Sequence, residues 1–222
     1  MKTMRIGANR ETGFTLVEIA IVLVIIGLLL GGILKGQEMI TQARIKNMAN
    51  DFNGVTAAYF SYQDRYKAVP GDDSQAAGRW PAAGGVNAAP AGDNSGTVAG
   101  TYFANGAVES RFFWEHLRRA GMIAGPADSP NQPANAVGGI VGVQDSGLQL
   151  NGPVICTTNV PDKIAIALDT QLDDSRPSTG TIRALAGGGN VATGGEGQAN
   201  QNPMGGNYTE TGGAQFVICK SL

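Results

Sequence analysis

The sequence predicts an α+β chain: a long N-terminal helix, membrane-spanning in its first half, whose second half packs on a small antiparallel β-sheet. Three observations carry this. Residues 14–34 form a nearly uncharged apolar run, residues 45–66 hold an apolar stripe at helical spacing, and short apolar or alternating runs recur beyond residue 139 between Gly-rich stretches. A chain of 222 residues has room for one ordinary domain and an appendage. Its formal net charge of -2 leaves no basic footprint, so no nucleic-acid partner is expected. Charged residues are only 15% of the chain and Gly numbers 33, a weakly charged, loop-rich composition suited to close packing of copies.

The first thirteen residues are polar, with Lys2, Arg5 and Arg10 against the single acid Glu11. The run that follows, FTLVEIAIVLVIIGLLLGGIL, is 21 residues long with one charge, Glu18. As a helix it rises about 30 Å, the thickness of a bilayer's hydrocarbon core. The basic leader places the N-terminus in the cytoplasm and everything after residue 34 outside it. A cleaved secretory signal would have a shorter apolar region and a small-x-small cleavage site, so the segment reads as retained.

The helix continues past the apolar run. Ile45, Met48, Phe52, Val55, Tyr59, Tyr62 and Tyr66 alternate at spacings of 3 and 4. Pro70 ends it, giving one helix of roughly 50 residues. The stripe is expected to pack on the chain's own globular part, with a coiled-coil partner as the alternative. Residues 71–106, rich in Gly, Ala, Asn and Pro, read as a long surface excursion. A short helix is expected over 108–119 with Phe112, Phe113 and Leu117 inward and Gly121 as its stop. Strands are expected at 139–143, 148–157, 181–186 and 214–219, and 163–172 reads as either strand or short helix. Between the last two strands lies a flexible, low-complexity Gly-rich loop.

Glu18 is the informative residue. A carboxylate in an apolar phase costs about 2–3 kcal/mol or more, so it needs a partner, and residues 14–22 contain no Lys, Arg or His. A cut after Gly13 would create a positive amine on Phe14, one helical turn from Glu18 and within reach of a neighbouring copy's. Gly13-Phe14-Thr15-Leu16-Val17-Glu18 ahead of an apolar run resembles the prepilin peptidase recognition segment of type IV pilins and type II secretion pseudopilins. The resemblance covers about 22 residues from Gly13. It implies a pilin-like fold, a leader of residues 1–13, cleavage after Gly13 and N-methylation of Phe14. It also implies pairing of Glu18 with the N-terminus of an adjacent subunit.

The implied partition is a transmembrane and assembly helix over 14–34, an amphipathic continuation over 35–69, and a C-terminal periplasmic domain over 70–222. Implied partners are further copies or other pilins, prepilin peptidase, an assembly platform protein and its ATPase, and the inner membrane. The segment Tyr62-Gln-Asp-Arg-Tyr66 leading to Val69-Pro70-Gly71 is similar to the helix end of many pilin-like proteins. Two departures stand out. Many pilins carry Pro at the twenty-second mature position, here Lys35, and Thr12 and Glu11 replace the basic residue often found before the cleavage Gly. Gly27, Gly31 and Gly32 offer helix softening instead of the Pro. The implied function is that of a filament subunit. A secretion pseudopilin and a membrane-tethered periplasmic binding module are the alternatives.

Cys156 and Cys219 are the only cysteines, in echoing Val-Ile-Cys contexts at the apolar ends of expected strands. Two free thiols or one disulfide fit, and export favours the bond. It resembles the C-terminal disulfide of many pilins and would close a loop of about 60 residues, worth roughly 4 kcal/mol. Asp72, Asp73, Asp173 and Asp174 could offer oxygen ligands to calcium, but solvated turn residues are the plainer reading; no other cofactor is expected. His116, the single His, stands apart from any nucleophile, and the chain is read as no enzyme.

Overall fold

The computed structural model describes Gly13, residues 15–187 and residues 203–222. The chain divides into a first unit ending at Gln42 and a second running from Ala43 to Leu222. Helix α1 is Leu16–Tyr66, 51 residues without a proline, with Glu18 in its first turn and Arg65 in its last, charges that complement the helix dipole. In the second unit α1 buries Ile45, Met48, Ala49, Phe52, Val55, Ala58, Tyr59 and Tyr62, with Tyr66 half-buried. The stripe therefore packs on the protein's own core. Lys67 follows in the left-handed region at φ 55°, and Pro70 prevents any resumption.

Beyond α1 come a single turn, α2 (Ala76–Arg79), and α3 (Glu109–Arg119). The C-terminus of α3 is closed by Gly121 at φ 71°: its N–H donates to the Arg118 carbonyl and that of Met122 to Leu117, both at 2.9 Å. Then follow β1 (Val141–Gly147), β2 (Leu150–Pro161), α4 (Asp162–Leu172), β3 (Ile182–Ala186) and β4 (Gln215–Ser221). The segment left open between strand and helix is thus α4, because Ile164, Ala165 and Leu168 share one buried face. All strand neighbours are antiparallel, in the order β1-β2-β4-β3.

Alternation along the strands separates two cores. Val141, Val143, Ile155, Ile182, Ala184, Phe216 and Ile218 join the stripe of α1 with Phe113, Trp114 and Leu117 of α3 and Leu168 of α4. Leu150, Val154, Cys156, Val217 and Cys219 face the other way and meet Tyr102. Most of residues 81–100 in the expected surface excursion are exposed, but the excursion is anchored inward at several points. Asp72, Asp73, Ala76, Ala89, Val98 and Tyr102 are all buried; Val98 joins the first core, while Tyr102 packs on the second face of the sheet. The few apolar residues were too sparse to show a period, yet each sits where the chain dips inward. The Tyr102 backbone lies so close to β1 that a Cβ on Gly142 would meet its carbonyl group, so only glycine fits there.

Leu148 and Gln149, expected to open a strand, instead form the two-residue turn joining β1 to β2, both at positive φ of 50° and 63°. Left-handed backbone costs such residues roughly 1–2 kcal/mol each. Full burial of the Leu148 side chain in the second core offsets that cost. Both outer strands are engaged. On β3 the Ala184 N–H donates to the Pro177 carbonyl at 2.9 Å, and its carbonyl accepts from Met204 at 2.8 Å. On β1 the N–H groups of Val141 and Asp145 donate to the carbonyls of Pro133 and Val98.

Candidate functional site

The N-terminal segment begins its helix with a reciprocal cap. The Glu18 carboxylate (Oε2) accepts from the Thr15 backbone N–H at 2.8 Å and from its hydroxyl at 2.7 Å. The Glu18 N–H donates to Thr15 Oγ1 at 3.3 Å. This is a capping box, in which one polar pair satisfies donors that the first helical turn leaves open. Sequence reasoning about Glu18 passed over Thr15, although Thr-x-x-Glu before an apolar run is the signal for it. Beyond the cap the helix is apolar on every side and uncovered: Leu16 is 86% exposed, Leu28 73% and Leu34 66%. Mean hydropathy reaches 2.8 over an 18-residue window of this stretch, with none of it buried. A helix greasy all round finds its solvent in lipid or in like helices.

Residues 8–34 match the prokaryotic N-terminal methylation motif. The chain carries the prepilin signature of type IV pilins and pseudopilins. No curated protein matches the chain. Of the residues expected to take part in processing, Gly13 is exposed, while Phe14 and residues 1–12 lie outside the described residues. Glu18 is exposed, and the neighbouring amine with which it would pair belongs to another copy.

The cysteines meet in the second core. Cys156 and Cys219 are direct cross-strand partners on β2 and β4, and they form a disulfide in mid-strand rather than at strand ends. The Gly-rich loop between β3 and β4 falls largely on residues 188–202, outside the described residues.

The four candidate calcium aspartates separate into three settings. Asp73, 1% exposed, accepts from the Tyr62 hydroxyl at 2.7 Å and forms an ion pair with Arg79, whose guanidinium lies 4.9 Å from the Tyr66 ring centre. Asp72 groups with Asp93 and Glu109, and Asp173 and Asp174 group with Asp169; within each trio, carboxylate oxygens lie inside 4.8 Å of one another. Asp72 and Asp73 are buried, not solvated turn residues, because their oxygens organise backbone. Asp72 accepts from the N–H groups of Ser95 and Gly96 at 2.9 and 2.7 Å, and Glu109 from those of Asp93 and Ala99 at 3.0 and 2.9 Å. These bonds pin the loop that leads to Tyr102. In the second trio, burial pushes the Asp169 carboxyl up, while the Tyr208 hydroxyl donates to it at 2.7 Å and pulls the other way. Either trio has hard oxygen donors, but their geometry already serves backbone N–H groups.

His116 is fully buried and structural. Its Nδ1 accepts from the Gly71 N–H at 2.9 Å, which fixes the tautomer that donates from Nε2 to the Pro90 carbonyl at 2.8 Å. Its ring stacks on Tyr62 at 6.2 Å between centres. Burial, opposed by the Pro90 bond, lowers its pKa to about 4. The imidazole ties the chain beyond Pro70 to α3, a task invisible in a sequence with one isolated histidine.

Proposed function

We propose that this prepilin is a structural subunit of a type IV pilus. Prepilin peptidase cleaves it after Gly13, Phe14 is methylated, and the subunit enters a helical filament through its N-terminal helix. Before assembly it rests in the inner membrane with a cytoplasmic N-terminus and a periplasmic C-terminal domain. An assembly ATPase and its platform protein act on it, and its filament partners are copies of itself or other pilins. The observation that carries this reading is the methylation motif at residues 8–34, set on a helix whose apolar surface is uncovered.

Physical chemistry supports the order of events. In the precursor conformation Glu18 is held by Thr15, so the carboxylate is not left bare. After cleavage, the new amine of a neighbouring subunit offers a full opposite charge in a medium of low dielectric, where Coulomb attraction greatly exceeds its value in water. Desolvation offsets much of that gain, so the pair acts chiefly on register: a subunit docked at the wrong height leaves a charge unmatched. The test is intact mass and N-terminal sequencing of the mature protein, with filament yield from Glu18→Ala. A mature chain starting at methylated Phe14 and a loss of filaments in Glu18→Ala support the proposal. A mature chain starting at Met1, with normal filaments from the variant, refutes it.

A further inference from the structure

The face of α3 that enters the first core carries Phe113, Trp114 and Leu117, all fully buried. Phe112, expected on that face, is half-buried and belongs to neither core. Trp114 differs from its neighbours in one respect: its indole Nε1–H has no hydrogen-bond partner among the described residues. A buried indole N–H ordinarily donates to something, and here the described chain supplies no acceptor.

Trp114 also lines an open cavity of about 340 Å3 that lies wholly within the second unit. One wall is the stretch of α1 around residues 50–55, and the others come from residues 122–124, residues 133–134 and Val141 of β1. Val55, Met122, Ile123, Pro133 and Val141 make the interior apolar. Asn50 and Asp51 are the polar exceptions, and Asp51 is the only charged residue among those described in the lining. Asp51 is exposed and forms no ion pair or hydrogen bond with any described residue. It still loses part of its hydration to its surroundings, and that alone pushes its carboxyl up. The cavity thus combines an unmet donor, an unmatched carboxylate and an apolar interior.

We propose that this cavity receives the N-terminal residue of a peptide, one with a free amine and an apolar side chain. The three groups on that residue's Cα answer the three features of the lining. The ammonium donates to the Asp51 carboxylate, which no cation in the lining neutralises. The first carbonyl accepts from Trp114 Nε1, and the side chain enters among Met122, Ile123 and Pro133. Other ligands answer fewer of the three. An internal peptide residue brings only a neutral amide nitrogen to Asp51. A C-terminal carboxylate meets a like charge, with no described lysine or arginine in the lining to offset it. A bare hydrocarbon leaves the indole N–H unmet. The volume, at the small end of ligand pockets, suits the end of a chain better than its middle.

The experiment uses the full-length chain, 15N-labelled at tryptophan, in micelles of an uncharged maltoside. The chain has two tryptophans, so the spectrum holds two indole resonances, and Trp80→Phe assigns that of Trp114. Leucinamide is the probe, an apolar residue with a free amine and an amide carbonyl. Two relatives each lack one group: N-acetylleucinamide has no charge, and 3-methylbutylamine has no carbonyl. Leucinamide shifts the Trp114 indole N–H saturably, both relatives bind about tenfold more weakly, and Asp51→Asn weakens leucinamide by a similar factor. Because Asp51 bonds to no other described residue, Asp51→Asn keeps the wild-type unfolding midpoint, which separates lost binding from lost fold. An unmoved Trp114 resonance overturns the proposal. So does either relative binding as tightly as leucinamide, or binding indifferent to Asp51→Asn. The pilus reading plays no part in this assay, and failure of one leaves the other untouched.

Discussion

Acidification of the C-terminal domain isolates the work done by His116. An unfolded histidine takes up its proton near pH 6.5, whereas burial delays protonation of His116 until about pH 4. A group whose folded pKa is depressed adds stability that is complete above the unfolded pKa and is lost as pH falls toward the folded one. The window is therefore pH 6.5 down to 4. A gap of about 2.5 pH units at about 1.4 kcal/mol each comes to about 3.5 kcal/mol, a large share of a small domain's stability. The geometry explains the sign. A proton on Nδ1 would replace the acceptor of the Gly71 N–H with a second donor, and the charge would face Arg79 and Arg119. Urea unfolding followed by the fluorescence of Trp80 and Trp114, both in the second unit, reads the effect between pH 7 and 4.5. The wild-type midpoint falls steadily across this range, while His116→Gln is less stable throughout but nearly flat. A wild-type midpoint unchanged with pH, or an equal fall in the variant, refutes the reasoning.

Two further perturbations test the second core. Gly142→Ala sets a methyl group 2.6 Å from the Tyr102 carbonyl carbon, backbone that cannot swing aside. It should cost about 2–3 kcal/mol, read as a lowered urea midpoint with loss of amide protection along β1. Replacing both Cys156 and Cys219 by Ser opens a loop with a sequence separation of 63 and should cost about 4 kcal/mol in the chain-entropy view. Adding reductant should shift the wild-type midpoint toward that of the double variant and leave the double variant unmoved.

Much of the helical framework was legible because it obeys a period. The residues from Ile45 to Tyr62 that repeat every three or four positions are those α1 buries, and Gly121 stops α3 where a C-terminal glycine should. What escaped notice depended on pairings across the chain or on single bonds. Asp72 and Glu109 look like surface acids until the N–H groups they accept are known, and those lie 23 and 10 residues away for Ser95 and Ala99. Leu148-Gln149 carries no turn chemistry of its own; the cores on either side impose the left-handed backbone. Phe112 differs from Phe113 by one step of a helix, and its neighbours, not its type, leave it half-buried outside both cores. The Thr15 cap is legible in the Thr-x-x-Glu spacing itself.

The engaged outer strands have a bearing on how copies of this chain can join. With Ala184 already bonded through both its N–H and its carbonyl, and β1 tied to Pro133 and Val98, the sheet offers little edge for a second chain to extend. Polymerisation by strand exchange, the hazard of secreted sheet proteins at high concentration, is thereby discouraged. In the proposed assembly, growth falls to the apolar helix, which is covered while lipid surrounds it and becomes adhesive once extracted. On that reading the switch for polymerisation lies in the N-terminal helix and not in the sheet domain.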